Sequence, residues 1–126
     1  MCVWWFGGDI LSESLNSDLI RGNIDTIILC VLLARDHYGY EIIKAIRQRS
    51  GGAYELKEPT LYASLRRLEK QKMIESYWGD ETQGGRRKYY RLTDEGISLY
   101  KRNLASWEAA RDLINQLITY QGEGTE

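Results

Sequence analysis

Residues 24 to 34 read IDTIILCVLLA, and this stretch constrains the fold more than any other. Asn23 is placed to cap a helix running from Ile24 to about Arg35, with Asp25 in the first turn, where the helix dipole favours an anion. Ile24, Ile27, Ile28, Leu29, Val31, Leu32 and Leu33 surround nearly its whole circumference. A helix apolar all round has to be covered on more than one side, here by its own domain and by a partner chain. Its apolar run, Ile27 to Ala34, is far shorter than the roughly 20 residues of a membrane-spanning helix. A chain of 126 residues is enough for one domain, or one domain with an appendage, and buries roughly two-thirds of its unfolded surface.

The segments that follow alternate between helix and turn chemistry. ArgAspHisTyrGly at 35 to 39 breaks the first helix. A second is expected from Tyr40 to Arg49, with Ile42, Ile43 and Ile46 inward, and SerGlyGly at 50 to 52 ends it as a glycine C-cap does. AlaTyrGluLeu at 53 to 56 suffices for one edge strand or an extended link. A third helix begins near Pro59, the only proline, at a position the first turn tolerates. At 100° per residue Leu61, Leu65 and Leu68 share one face, leaving Ala63, Arg66, Arg67 and Lys70 on the opposite arc, flanked by Thr60, Ser64 and Tyr62. Met73–Trp78 and Lys88–Leu92 read as strands, joined by GlyAspGluThrGlnGlyGly, so a hairpin follows. Tyr89 and Tyr90 alternate across the return strand, one inward and one outward.

Asp94 or Thr93 can cap a last helix from Glu95 to about Tyr120. Ile97, Tyr100, Leu104, Trp107, Ile114 and Ile118 recur along it at alternating spacings of three and four, interrupted only by Arg111. That stripe is closer to a coiled-coil seam than to a globular face. The expected fold is therefore mostly α with a small β-hairpin (α+β): a winged helix-turn-helix with a long C-terminal dimerisation helix. Residues 1–14 are expected to be an N-terminal tail, 15–94 the winged helix-turn-helix, 95–120 the dimerisation helix and 121–126 a frayed end. Trp4, Trp5 and Phe6 of the tail can dock on a partner or on the body of the fold, the plainer reading being a disordered or loosely docked segment.

The formal net charge of −1 hides an asymmetry. From Lys44 to Arg91 there are 12 basic residues against 6 acidic, a balance of +6, whereas the remainder holds 5 basic against 12 acidic, or −7. A basic middle between acidic ends is the pattern of a nucleic-acid reader whose overall charge is held near neutral. The third helix carries the chemistry for reading a major groove. Ala63 permits close approach, Thr60 and Tyr62 offer surface to a thymine methyl, and Arg66, Arg67 and Lys70, with Ser64 and Lys57 nearby, offer contacts to phosphates or guanine. At the hairpin tip Gly85 lets backbone approach a phosphate, and the consecutive cations Arg86, Arg87 and Lys88 have no apolar surface to cover. AspGluThr, just before the glycines, repels phosphate and restricts contact to the far side of the tip.

The motifs YGYEIIKAI, PTLYASLRRLEKQKMIES and GGRRKYYRLTDEG together resemble the PadR family of bacterial and archaeal transcriptional regulators, in its short subfamily with one C-terminal helix. The resemblance covers roughly residues 15 to 118. It implies a winged-helix homodimer on double-stranded operator DNA, usually a repressor, released when an effector binds. By position, Pro59, Thr60, Leu61 and Tyr62 open the recognition helix, and Gly85, Arg86, Arg87 and Lys88 form the wing. The LASWEAARDLI context of Trp107 is similar to that of the tryptophan lining the hydrophobic cavity of multidrug-binding members, which implies a small aromatic or hydrophobic effector. A seam residue filling a coiled-coil position is the plainer reading of the same tryptophan. The expected dimer interface is Ile27, Val31, Tyr100, Leu104, Trp107, Ile114 and Ile118.

No constellation for catalysis is present in the sequence. The only histidine, His37, falls between helices without a nearby cysteine and reads as a structural loop residue, and no glycine run has phosphate-cradle spacing. No enzyme activity and no cofactor or metal are expected. The start, MCVWWFGG, lacks the basic region and the apolar length of a signal peptide. Cys2 and Cys30 have neither disulfide nor metal spacing, so a reducing, cytoplasmic setting and no membrane partner are expected. The basic middle would serve a winged-helix protein-interaction or assembly module equally well; sequence-selective duplex binding separates the two readings.

Overall fold

The computed structural model describes residues 17–79 and 85–122. Its elements run α1 (Ser17–Arg21), α2 (Ile24–Ala34), β1 (His37–Tyr38), α3 (Gly39–Arg49), α4 (Glu58–Lys70), β2 (Ile74–Trp78), β3 (Lys88–Leu92) and α5 (Asp94–Ile118). The strands form one antiparallel sheet in the order β1-β3-β2. Among the described residues five helices, four of them of eleven residues or more, and this small sheet make a mostly helical winged helix with a long last helix. The tail with Trp4, Trp5 and Phe6, the turn residues 80–84 and the last four residues lie outside the described residues.

Every helix and strand expected from periodicity is present within about two residues, and the differences have local causes. Asn23 makes no side-chain cap; its amide donates instead to the carbonyl of Leu19 at 3.5 Å. At the other end of α3 the glycine cap is present: Gly51 takes a φ of 62°, and the N–H of Gly52 reaches the carbonyl of Arg47 at 2.8 Å. Only glycine enters this left-handed region without steric cost. Thr93, one of the two residues expected to cap α5, accepts from the N–H of Gly96 at 3.0 Å and donates to the carbonyl of Met73 at 2.9 Å. A Cβ on Gly96 would sit 2.1 Å from that same carbonyl, so α5 leaves the sheet at closest backbone approach.

Two elements were not legible. β1 occupies part of the stretch read only as a helix break, and it carries His37, which is therefore a buried strand residue. Two residues have no periodicity of their own; β1 exists because His37 pairs with Tyr90 and Tyr38 with Tyr89. The five-residue α1 was likewise not expected. Residues 53–56 form an extended link rather than a strand.

The core is built around α2. Ile28, Leu29, Ile42, Leu56, Leu61, Leu65, Leu68 and Ile74 are fully buried, so α2, α3, α4 and β2 meet in one cluster. Each such side chain contributes about 1.5–3 kcal/mol by leaving water. α5 packs on α2 through its first three turns, with Leu99 and Tyr100 against the core. The expected cover for the all-round apolar helix is thus supplied largely within the chain. Val31, expected at a dimer interface, is only 1% exposed and belongs to this core, leaving no surface for a partner. From Ala105 to Ile118, a stretch of about 20 Å, every residue of α5 is exposed, and beyond the cleft that Trp107 borders the helix projects from the body of the fold.

Candidate nucleic-acid interface

α4 divides into two sides. Leu61, Ser64, Leu65 and Leu68 face the core, while Pro59, Thr60, Tyr62, Arg66, Arg67 and Lys70 are exposed and Ala63 is half-buried among them. Lys57, at the position before the helix, is exposed and makes no side-chain cap. Ser64 corrects the expectation of a DNA contact. It is 3% exposed, on the inward stripe, and its hydroxyl accepts from Arg67 Nη2 at 3.1 Å.

Arg67 is also engaged internally. Its Nη2 meets Asp25 Oδ1 at 2.7 Å and its Nε meets Oδ2 at 3.2 Å, a two-pronged bridge from α4 to the first turn of α2. The hydrogen bond to Asp25 raises the pKa of the guanidinium further above its ordinary value. Arg66 and Lys70 have no ion pair among the described residues and lie at the centre of the outward arc. On the opposite flank the ring of Tyr62 crosses the start of α3, where a Cβ on Gly39 would lie 2.2 Å from the phenol oxygen. α4 and the start of α3 are thus packed as closely as a glycine permits.

The hairpin beside α4 holds the expected cations, and the structure shows how they are carried. Gly85 has a φ of 84°, and Arg86, Arg87 and Lys88 are all exposed. Alternation along the strand sends them to opposite faces. On one face Tyr38, Tyr89 and Tyr77 form a row across the three strands. Tyr77 stacks on Tyr89 at 5.7 Å between centroids, and Tyr38 meets Tyr89 edge-on at 5.4 Å. Arg87 sits 4.8 Å over Tyr38 and Arg91 5.0 Å over Tyr77. On the other face Arg86 lies 5.3 Å over Trp78 and Lys88 5.9 Å over Tyr90. Each wing cation therefore places its charged head over an aromatic ring, which restrains the side chain while leaving it exposed to solvent.

The question left open by the tyrosine pair is answered: Tyr90 is 5% exposed and belongs to the core, and Tyr89 belongs to the outer row. Tyr77 also donates its hydroxyl to Asp36 at 2.5 Å, and that bond raises its pKa above the usual phenol value. The aromatic row was missed in the sequence because it needs β1; its signal there is the YW pair of β2 opposite KYY in β3, which sets Tyr77 against Tyr89. His37 lies on the core face of β1. Its ring is fixed by Nδ1 against the carbonyl of Arg35 at 2.8 Å, and burial holds its pKa below the ordinary imidazole value.

A second feature stands apart from this surface. An apolar cleft of about 360 Å³ opens between α1, α2 and α5, lined by Leu19, Ile27, Cys30, Tyr100, Leu104 and Trp107. Asn23 and Thr26 add its polar groups, and Asn103 donates to Thr26 Oγ1 at 2.9 Å to hold α5 on α2. Four of the residues expected at a dimer interface, Ile27, Tyr100, Leu104 and Trp107, thus line one cavity. Ile114 and Ile118 are on the projecting half of α5. No helix of the described residues is long and apolar enough to cross a membrane.

Known proteins share this fold. The model of the transcriptional regulator PadR-like family matches residues 28–102. The solved structure of a transcriptional regulator from Clostridium thermocellum is 50% identical, with a TM-score of 0.74, and the alignment covers 79% of this chain and 96% of that one. A PadR family transcriptional regulator from Eggerthella lenta superposes with a TM-score of 0.77 at 30% identity, over 92% and 99% of the two chains. The Escherichia coli transcriptional regulator YqjI is 31% identical over 94 residues, 75% of this chain, which spans 44% of that longer protein. The matched residues include α4 and the wing, the parts that carry the exposed cations. With a winged-helix body, an exposed cationic face and this family match in agreement, the chain belongs to the PadR-like family of DNA-binding transcriptional regulators.

Proposed function

We propose that the protein is a homodimeric operator-binding regulator, most simply a repressor, in which α4 enters the major groove and the wing grips the adjacent phosphates. The observation that carries this reading is the arrangement of α4. One side is locked by three buried leucines, and the other presents Thr60, Tyr62, Ala63, Arg66 and Lys70 beside a wing whose cations rest on aromatic rings. Phosphate contacts position such a protein, and the side chains at the start of the helix specify the sequence. In this proposal residues 15–94 are the reading unit and residues 95–120 the dimerisation helix. The projecting half of α5, with Ile114 and Ile118, supports it because an apolar seam clear of its own chain is stable only when paired.

A twofold dimer reads an inverted repeat, with half-sites one helical turn, about 10–10.5 base pairs, apart. Selecting bound duplexes from a random pool is expected to enrich such a repeat. A pool with no enriched sequence after several rounds would reject operator recognition and leave the protein-interaction reading standing.

The apolar cleft supports release by a small aromatic or hydrophobic effector, since Trp107 forms one wall of a cavity of ligand size. A planar aromatic cation such as ethidium is expected to quench tryptophan fluorescence saturably. The Trp107→Ala variant is expected to lose that saturable part, the signal of Trp4, Trp5 and Trp78 being common to both proteins. Equal quenching in the variant would remove Trp107 from the effector site.

A further inference from the structure

Arg67 is the cation of α4 that the fold keeps occupied. On the helical wheel Arg66 and Lys70 mark the centre of the outward arc, whereas Arg67 lies about 70° round from that centre, on the flank facing α2. There its two donor arms meet the two oxygens of Asp25 in the geometry in which arginine otherwise recognises a phosphate or a guanine edge. Ser64 Oγ takes a further contact from the same nitrogen, so the guanidinium is held from two elements. Stability alone does not explain this investment: the Arg67 side chain is 50% exposed and that of Asp25 29%, and ion pairs so open to water contribute little to folding. What the bridge does is remove one cation from the reading face and tie the orientation of α4 to the first turn of α2.

We infer that Asp25 is a positioning residue for DNA reading: it withholds Arg67 from phosphate and holds α4 in register on α2, so that sequence selectivity is gained at the expense of non-specific affinity. The inference rests on the DNA-reading function of α4. It reverses the ordinary expectation for an arginine on a recognition helix, in which removing the side chain weakens binding, because here the carboxylate 42 residues away already occupies both arms.

The test is a double-mutant cycle on the full chain, with affinity for a random duplex and for a selected duplex measured between 50 and 200 mM salt. Asp25→Asn is expected to free Arg67 for one further phosphate contact. On random duplex the magnitude of the log–log salt slope then rises by about 0.9, so that affinity falls about 3.5-fold more across this range than for the wild type. The ratio of selected to random affinity is expected to fall. Asp25→Glu is expected to retain the wild-type slope. In the Arg67→Ala background Asp25→Asn is expected to leave the slope unchanged. A slope unmoved by Asp25→Asn, or one that rises equally with and without Arg67, overturns the inference, the second outcome showing only the general effect of losing a negative charge. If Asp25→Asn merely lowers both affinities in proportion to a lower melting temperature, the bridge is structural and the inference also falls. Wild-type protein that binds neither duplex would instead sink the DNA-reading function itself, and this inference with it.

Discussion

Aspartate at both Ile114 and Ile118 is expected to convert the protein into a folded monomer that has lost about 10²–10⁴-fold in operator affinity. The two side chains are 53% and 76% exposed and sit on the exposed second half of α5, outside the buried cluster, so the core does not depend on them. In the proposed dimer they are buried in both protomers. Four aliphatic side chains at about 1.5–3 kcal/mol each are then replaced by carboxylates that cannot be buried without partners. Loss of pairing separates the two reading heads, and the second half-site ceases to be bound at high effective concentration, which accounts for the size of the effect. Sedimentation at micromolar concentration measures the first part and duplex titration the second. A variant that sediments as the wild type does would remove these residues from the interface, and a wild-type monomer would reject the dimer.

Alanine at Arg86, Arg87 and Lys88 together is expected to weaken binding to every duplex and to reduce the magnitude of the salt slope by about 2–3, since each phosphate neutralised on B-DNA contributes about 0.9. The loss is expected to be largest at low salt and similar for selected and random sequences, because phosphates carry no sequence information. The fold is expected to survive, as all three side chains are exposed and pack outward on Tyr38, Trp78 and Tyr90. The measurement is affinity against salt for both duplexes. An unchanged slope would mean that the wing does not contact DNA, and a loss confined to the selected sequence would make it a base reader.

These two effects draw on features of different legibility. The wing was readable as GlyGlyArgArgLys between two strand-like segments, because turn chemistry and charge are local. What was not readable is that its cations divide between two faces, each over a ring, since two of those three rings, Trp78 and Tyr38, come from other strands. The projecting seam was readable from its three/four spacing, yet the same spacing gave no sign that Tyr100 and Leu104 turn into a cavity while Ile114 and Ile118 stand clear. Ser64 and Arg67 show the limit most plainly. Both sit beside the outward arc of α4, and whether a flanking position faces solvent or a neighbouring helix depends on where that neighbour packs.

Periodicity, caps and charge order therefore determined, from the sequence by itself, the helices, the hairpin, the basic middle of the chain and the resemblance to a winged-helix regulator. Each of these signals acts over a few residues, so it survives without knowledge of the fold. The tertiary structure alone decided the two-residue strand β1, the inward turn of Tyr90, the burial of Val31 and Ser64, and the capture of Arg67 by Asp25. Those outcomes depend on groups brought together from tens of residues apart, and no local pattern records which of several compatible neighbours a side chain will meet.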